Sequence, residues 1–170
     1  MFDSCVLGVD PGVANLGLAA VARDGRRPVL IWADTVTTEA DVPEAERLRV
    51  VAEAVRTAIA THAPVSLAVE RVSFNRNQVS ALTVARATGA VMVVAAEAGI
   101  DVDEYSPTEV KSAVTGMGNA DKAQVRLALE RVHGFRDLPA KPDAVDAAAV
   151  ALTHLVGARL KAAARAGGAG

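Results

Sequence analysis

Three short apolar runs near the N-terminus, each stopped by a turn signal, constrain the fold of this sequence more than any other feature. Runs over residues 4–10 and 16–22 flank Pro11-Gly12, and Asp24-Gly25 separates the second run from a third over residues 29–36. Apolar runs this short, joined by tight turns, favour antiparallel strands over helices. The sequence therefore predicts an antiparallel meander of three strands at the start of the chain.

The pattern then changes to helices that alternate with strands. Residues 43–61 carry apolar side chains at helical spacing, and residues 65–70 follow as a short apolar run. A strand reached through a helix usually pairs in parallel with an earlier strand through a right-handed crossover. The next helix, over residues 79–98, is apolar nearly all round. Such a helix is buried on more than one side, either within the domain or against a second copy of the chain.

The remaining elements complete an α/β domain. A fifth strand is expected over residues 101–105. A helix is expected to begin at the capping signal of Ser106, Pro107 and Glu109, and two more helices are expected over residues 120–132 and 142–164. We therefore expect a five-stranded mixed sheet flanked by helices, with the first three strands antiparallel and the later strands parallel. A single domain over residues 1–157 is expected, followed by a helix end and a flexible Gly/Ala tail over residues 158–170.

Composition excludes several classes of protein. Half of the 170 residues are hydrophobic, and 13 Gly with 7 Pro are too few for a collagen-like or low-complexity chain. The longest continuous apolar run, around residues 90–96, is far shorter than the roughly 20 residues that cross a bilayer, so no membrane span is expected. The N-terminus lacks the pattern of a secretory signal, which favours a cytoplasmic protein. The single cysteine, Cys5, is expected to be a small buried hydrophobe.

Four acidic residues are expected to meet at one edge of this sheet. Asp10 ends the first strand, and Glu70 ends the strand expected to pair beside it in parallel, at the edge where open α/β sheets bind ligands. Asp143 and Asp146 stand three residues apart on one face of the last helix. Each acid has an ordinary alternative explanation: a turn, a strand-end charge or the helix dipole. That explanation is weakest for Asp146, which lies among Ala and Val residues.

The chemistry of these four side chains favours a hard metal ion. With no cysteine and no clustered histidine among them, the carboxylates form an all-oxygen site that suits Mg²⁺. Mutual repulsion opposes full ionisation of such a cluster without a cation. Two ions about 3.5 to 4 Å apart would hold the attacking and leaving oxygens of a phosphodiester. The acids therefore predict phosphoryl-transfer chemistry.

Four blocks of the sequence resemble the RuvC family of bacterial Holliday junction resolvases. The blocks are GVDPGVANLG, AVERVSFNRN, EYSPTEVKSAVTGMGNADKAQV and LPAKPDAVDAAAVALTH, and the resemblance runs from about residue 7 to residue 154. It implies a ribonuclease-H-like sheet, a homodimer, and paired Mg²⁺-dependent nicks at symmetric positions in four-way junction DNA during recombination and repair. It also implies two Mg²⁺ ions at each site, replaceable by Mn²⁺, and the RuvA and RuvB proteins as partners.

The resemblance also assigns roles to individual residues. The metal-binding catalytic acids would be Asp10, Glu70, Asp143 and Asp146, and the lysines near the scissile phosphates would be Lys111 and Lys122. Lys122 is the stronger candidate for stabilising transition-state charge. The family commonly has an aromatic residue three positions after the catalytic glutamate, whereas this chain has Ser73 there and Phe74 next to it. Phe74 either stacks on a junction base or anchors its loop.

The charge distribution agrees with a DNA partner although the formal net charge is −2. No Asp or Glu occurs from residue 71 to residue 96, a stretch that contains Arg71, Arg76 and Arg86. Arg71 and Arg76 are expected to contact DNA phosphates, whereas Arg86 is expected to be a solvated charge. The histidines are expected to be packing or surface residues, with only His154 weakly suspected of a role, because it follows Asp146 along the last helix.

Three alternatives remain open at this level. One is another ribonuclease-H-like nuclease that acts on structured RNA, such as a ribosomal RNA precursor. Another is an ATP-binding module of the actin and sugar-kinase type. That architecture duplicates the fold and needs about twice the usual domain of 100 to 150 residues, which this chain lacks. The third is a non-catalytic DNA-binding relative, which the complete set of four acids disfavours.

Overall fold

A five-stranded mixed sheet forms the centre of the protein. The computed structural model describes residues 4–25, 27–72 and 78–167. The strands are β1 (Cys5–Asp10), β2 (Asn15–Asp24), β3 (Arg27–Thr37), β4 (Ser66–Glu70) and β5 (Asp101–Tyr105). Their order across the sheet is β3-β2-β1-β4-β5, with β1, β2 and β3 antiparallel and β4 and β5 parallel to β1. The predicted α/β fold and strand pattern are confirmed.

Helices cover both faces of this sheet. They are α1 (Glu44–His62), α2 (Gln78–Glu97), α3 (Pro107–Thr115), α4 (Lys122–Arg131) and α5 (Pro142–Gly167). Capping boxes begin α3 and α4, because the Ser106 and Asp121 side chains accept the N–H groups of Glu109 and Gln124. The first cap was expected from the sequence. The second moves the start of α4 to Lys122, two residues after the expected position.

Two glycines allow α5 to lie directly against the sheet. A Cβ atom on Gly8 of β1 would collide with the Ala147 carbonyl oxygen, and one on Gly17 of β2 would collide with the Asp143 carbonyl oxygen. Buried alanines on α5 face the same interface, including Ala148 and Ala151. Small side chains on both surfaces therefore let the helix backbone approach the strands closely.

The helix α2 corrects two expectations. Ala87, Val91, Val94 and Ala95 are buried, but Leu82 and other large side chains on the helix are exposed. The exposed set is Val79, Leu82, Met92 and Val93. Burial on more than one side within the domain is therefore wrong for this helix, and contact with a second copy remains the expected use of its open face.

The second correction concerns membrane spans. Val79–Glu97 is long and apolar enough to cross a bilayer by length and composition, so the expectation that no segment qualifies is wrong. The count of continuous apolar residues missed this stretch because Ser80, Thr83 and Arg86 interrupt it. Helices that pack in the core of a protein can have the same length and composition. One third of this stretch is buried in the fold, and Arg86 pairs with Glu44 of α1.

The close approach of α5 predicts the effect of a single methyl group. We expect Gly8→Ala to lower the free energy of unfolding by about 1 to 3 kcal/mol, because the added Cβ must push α5 away from β1. The matched control is Gly157→Ala on the same helix, where a Cβ would meet its nearest atom, the Tyr105 hydroxyl oxygen, at 4.0 Å. Urea unfolding measures the free energy of unfolding of both variants. Equal stability of the Gly8→Ala variant and the unmodified protein would contradict the close packing.

Candidate active site

Two acids lie side by side where adjacent parallel strands end. Val9 of β1 is in register with Val69 of β4, so Asp10 and Glu70 follow at the same level of the sheet. Both side chains are partly buried. The sheet geometry therefore brings together two carboxylates that are 60 residues apart in the sequence, as the strand pattern predicts.

The other two acids reach this edge from α5. The Asp143 backbone contacts the sheet at Gly17, and Gly17 is the antiparallel partner of Asp10. Asp146 lies one turn further along the same helix, with 21% of its side chain exposed. The charges of both aspartates act on Asp10. The close contact between α5 and the sheet thus places four carboxylates at one edge.

A lysine from another helix reaches the same place. The Lys122 ammonium donates a hydrogen bond to Asp146 Oδ2 at 2.6 Å, and this contact raises the pKa of Lys122. Lys122 is the first residue of α4, where the Asp121 capping box fixes the helix start. Its side chain is 71% exposed. A positive group therefore lies between solvent and the acidic edge.

Burial and mutual repulsion perturb two of the acids strongly. Burial, followed by the charges of Glu70, Asp146 and Asp143, raises the pKa of Asp10 to about 8, although Lys122 opposes this shift. Burial and then Asp146 raise the pKa of Glu70 to about 7, opposed by Lys122 and Lys111. Perturbation of this kind in neighbouring acids is typical of functional sites.

Comparison with known proteins identifies the family. A family model described as "Crossover junction endodeoxyribonuclease RuvC" matches residues 6–154. A relative of that name from Syntrophomonas wolfei is 39% identical over 155 residues, covering 91% of this chain and 90% of its own length. Another from Mycobacterium avium is 43% identical over 150 residues, covering 88% and 80% respectively. The structure described as "T. thermophilus RuvC in complex with Holliday junction substrate" matches with a TM-score of 0.86 at 36% identity, covering 93% of this chain and 96% of that chain.

This chain belongs to the RuvC family. The match covers the four sequence blocks on which the resemblance rests, and it confirms the expected family and its ribonuclease-H-like sheet. All four acids and both lysines named from the sequence lie inside the matched residues.

The RuvC acids fit a hard divalent cation by their chemistry. Within the residues described, no three His, Cys, Asp or Glu side chains are grouped closely enough to hold an ion as they stand. Asp146 turns Oδ2 towards Lys122, and burial with the charges of the other acids raises the pKa of Asp10. The donor set is nevertheless all oxygen, and the raised pKa of Asp10 indicates negative charge that nearby cationic side chains only partly compensate.

The structure places some of the other basic residues considered as DNA contacts. Lys111, in α3, lies near enough to lower the pKa of Glu70. The Arg71 guanidinium is exposed and donates to the Glu104 carbonyl oxygen at 3.4 Å, so it is directed towards β5. Arg86 was expected to be a solvated charge, but it pairs with Glu44. Phe74 and Arg76 lie outside the described residues.

Sequence reasoning underestimated His154. Its Nε2 lies 3.1 Å from the Ser66 hydroxyl, at the start of β4, and its Nδ1 lies 3.0 Å from the Tyr105 hydroxyl, at the end of β5. Nδ1 is also 3.6 Å from the Asp103 carboxylate. His154 therefore ties the helix that carries Asp146 to the strand that carries Glu70. The only sequence signal was its position eight residues after Asp146.

The perturbed acids predict how stability changes with pH. The folded protein binds protons at Asp10 and Glu70 up to about pH 8 and about pH 7, whereas the unfolded chain releases them near pH 4. Between these limits the folded state holds more protons, so its stability falls as the pH rises. In a buffer that contains a metal chelator, we expect the free energy of unfolding to decrease from about pH 5 to about pH 9.

Urea unfolding of Asp10→Asn at the same pH values tests this assignment. The variant lacks the carboxyl with the larger shift, so its stability should fall less steeply with pH than that of the unmodified protein. Asp41→Asn, at an exposed turn, provides the matched control and should keep the original slope. The same slope in all three proteins would show that Asp10 is not the perturbed group.

Proposed function

We propose that this RuvC family member is a metal-dependent endodeoxyribonuclease that resolves Holliday junctions by paired symmetric nicks during recombination and repair. The observation that carries the proposal is the family match across residues 6–154, within which four carboxylates share one edge of the sheet. The Thermus relative, similar to this chain over nearly its whole length, is described in complex with a Holliday junction substrate. That similarity favours junction DNA as the ligand of this chain.

Asp10, Glu70, Asp143 and Asp146 are proposed to hold Mg²⁺, and Mn²⁺ is proposed to substitute. RuvC family nucleases depend on divalent metals in general. When bound, a pair of such ions supplies activation of the attacking water and stabilisation of the leaving oxygen of the phosphodiester. The acids contribute fixed negative charge on rigid elements, two at strand ends and two on α5. Their partial burial excludes water and strengthens their interaction with a cation.

Lys122 is proposed to act on the scissile phosphate. Its exposed ammonium already lies at the acidic edge, held by Asp146, and it is close enough to lower the pKa values of Asp10 and Glu70. A positive charge at this place stabilises the extra negative charge that develops on the phosphoryl oxygens in the transition state. Lys111, Arg71, Phe74 and Arg76 are proposed to contact the DNA around this centre.

A homodimer formed through α2 is proposed to supply the second nick. The exposed apolar face of this helix, defined by Val79, Leu82, Met92 and Val93, is the surface that pairing with a second copy would cover. Two copies related by a two-fold axis present two acidic edges, which suits symmetric cleavage of a four-way junction. The RuvA and RuvB proteins are proposed partners, and the cytoplasm is the proposed location.

Substitution of one acid tests the proposed chemistry. We expect Asp10→Asn to reduce nicking of a synthetic mobile junction in Mg²⁺ by about a hundredfold or more, because a neutral amide holds a cation poorly. Junction binding, measured in Ca²⁺, should remain. Asp146→Asn should behave in the same way, whereas Asp41→Asn should cleave normally. Retained nicking in both site variants would contradict the assignment, and faster cleavage of a structured RNA than of the junction would favour the RNA-directed alternative.

A charge on α2 tests the proposed dimer. We expect Val93→Glu to shift the sedimenting species from dimer to monomer, because a dimer would have to bury the carboxylate at its interface. The monomer should nick single strands without pairing the two cuts. Leu127→Glu provides the control, since Leu127 is similarly exposed but belongs to α4. A monomeric unmodified protein, or a dimeric Val93→Glu variant, would contradict the use of this face.

A further inference from the structure

The outer edge of β3 lies between two clefts. β3 is the last strand on its side of the sheet, and among the described residues it pairs with β2 alone. The first cleft, about 860 Å³, lies between residues 27–33 of β3 and the segment that follows α4. The second, about 540 Å³, lies between β3 and α1. A strand edge with an open cleft on either face is a geometry suited to an added strand.

The first cleft is basic. Arg27, Arg131 and Arg136 line it and are exposed, and Asp137 is the only acidic residue among the described residues of its lining. In the part of the chain that the structure describes, none of these three guanidinium groups lies within 4.0 Å of a carboxylate. A guanidinium group with no carboxylate nearby can bind one through two parallel hydrogen bonds and opposite charge. The cleft therefore suits acidic side chains.

The second cleft is mostly apolar. Trp32 and Val36 of β3 face Val50, Ala54 and other residues of α1 across it. The Trp32 ring stacks on His62, with ring centroids 4.9 Å apart. Burial lowers the pKa of His62, so its ring is neutral near pH 7 and adds no charge to the cleft. This surface suits aliphatic or aromatic side chains.

We propose that the β3 edge binds an extended segment of a partner protein in which acidic and apolar side chains alternate. Successive side chains of a strand point to opposite faces, so a segment paired with β3 would direct its acidic residues into the first cleft and its apolar residues into the second. The edge available for pairing is residues 29–33. It is bounded by Pro28, which has no N–H, and by Thr35, whose N–H donates to the Asp34 carboxylate at 2.7 Å.

Two other occupants fit less well. A second copy of this chain that paired β3 with β3 would offer the basic cleft a single acidic side chain from that strand, Asp34, and not an alternating series. A DNA duplex would satisfy the arginines, but its phosphate backbone has no group for the apolar cleft at Trp32. A peptide that alternates in chemistry uses both clefts and the strand edge.

This surface is separate from the candidate active site. Thr35 is level with Asp10 through Gly17, and residues 29–33 lie towards the opposite end of the sheet. Lys122 at the site and Arg131 at the basic cleft are nine residues apart along α4, a rise of roughly 14 Å. Peptide binding at β3 is therefore expected to leave junction nicking unchanged, and the two activities can be measured independently.

The test uses a fluorescein-labelled nine-residue peptide of alternating Glu and Val. We expect saturable binding by fluorescence anisotropy, and protection of the amides of residues 29–33 from hydrogen exchange. The control peptide has the same composition with all Glu residues in one block and all Val residues in another. Arg131→Ala/Arg136→Ala and Trp32→Ala should each weaken binding of the alternating peptide by about tenfold or more. Arg126→Ala, whose guanidinium contacts the Leu138 and Pro139 carbonyl oxygens, is the matched arginine control.

Specific outcomes overturn the proposal. No binding at about 1 mM protein, equal binding of the block peptide, or protection elsewhere than β3 would each contradict it. Loss of duplex DNA binding in the Arg131→Ala/Arg136→Ala variant, with peptide binding unchanged, would assign the basic cleft to DNA instead. If Trp32→Ala fails to fold, Ala54→Arg, which fills the apolar cleft from α1, replaces it.

Discussion

The candidate active site depends on the contact between α5 and the sheet at Gly8 and Gly17. Asp10 and Glu70 are fixed by strand pairing alone, but Asp143 and Asp146 join them only because the helix backbone reaches the strands. No side chain larger than hydrogen fits at these two glycines. The close approach of the helix and strand backbones thus forms the acidic edge. It brings the carboxylates near enough to one another to interact electrostatically.

The same contact creates an electrostatic cost. Four carboxylates lie at one partly buried edge, and burial, together with repulsion from the other three acids, raises the pKa of Asp10 to about 8. Lys122 offsets part of this cost through its bond to Asp146, and it does so from solvent, where its remaining N–H groups stay available. The proposed binding of a divalent cation at this edge would add stability, since the ion would remove repulsion already present in the folded chain.

The sequence was sufficient for most of the fold, because hydrophobic period and turn residues are local signals. The strand order followed from two rules, short turns for antiparallel neighbours and a helical crossover for the parallel one, and the Ser106 cap was visible as a motif. The shared sheet edge of Asp10 and Glu70 followed from the same rules. What the sequence could not supply was contact between distant side chains, such as the link from His154 to Ser66 and Tyr105. The directions of Arg71 and Arg86 depended equally on partners far away in the chain.

The two corrections to α2 have one cause. A helix that is apolar nearly all round can be buried by its own chain, by a copy or by lipid, and composition treats these three environments alike. The structure separates them partly: Val91 and Val94 pack inwards, whereas Leu82 and Val93 do not. Because the inward face lies against the sheet and Arg86 pairs with Glu44 of α1, the helix is already committed to a protein surface along one side. An apolar face on a helix held in this way is oriented for a protein partner, since a lipid-spanning helix would have to leave the sheet and expose the core beneath it.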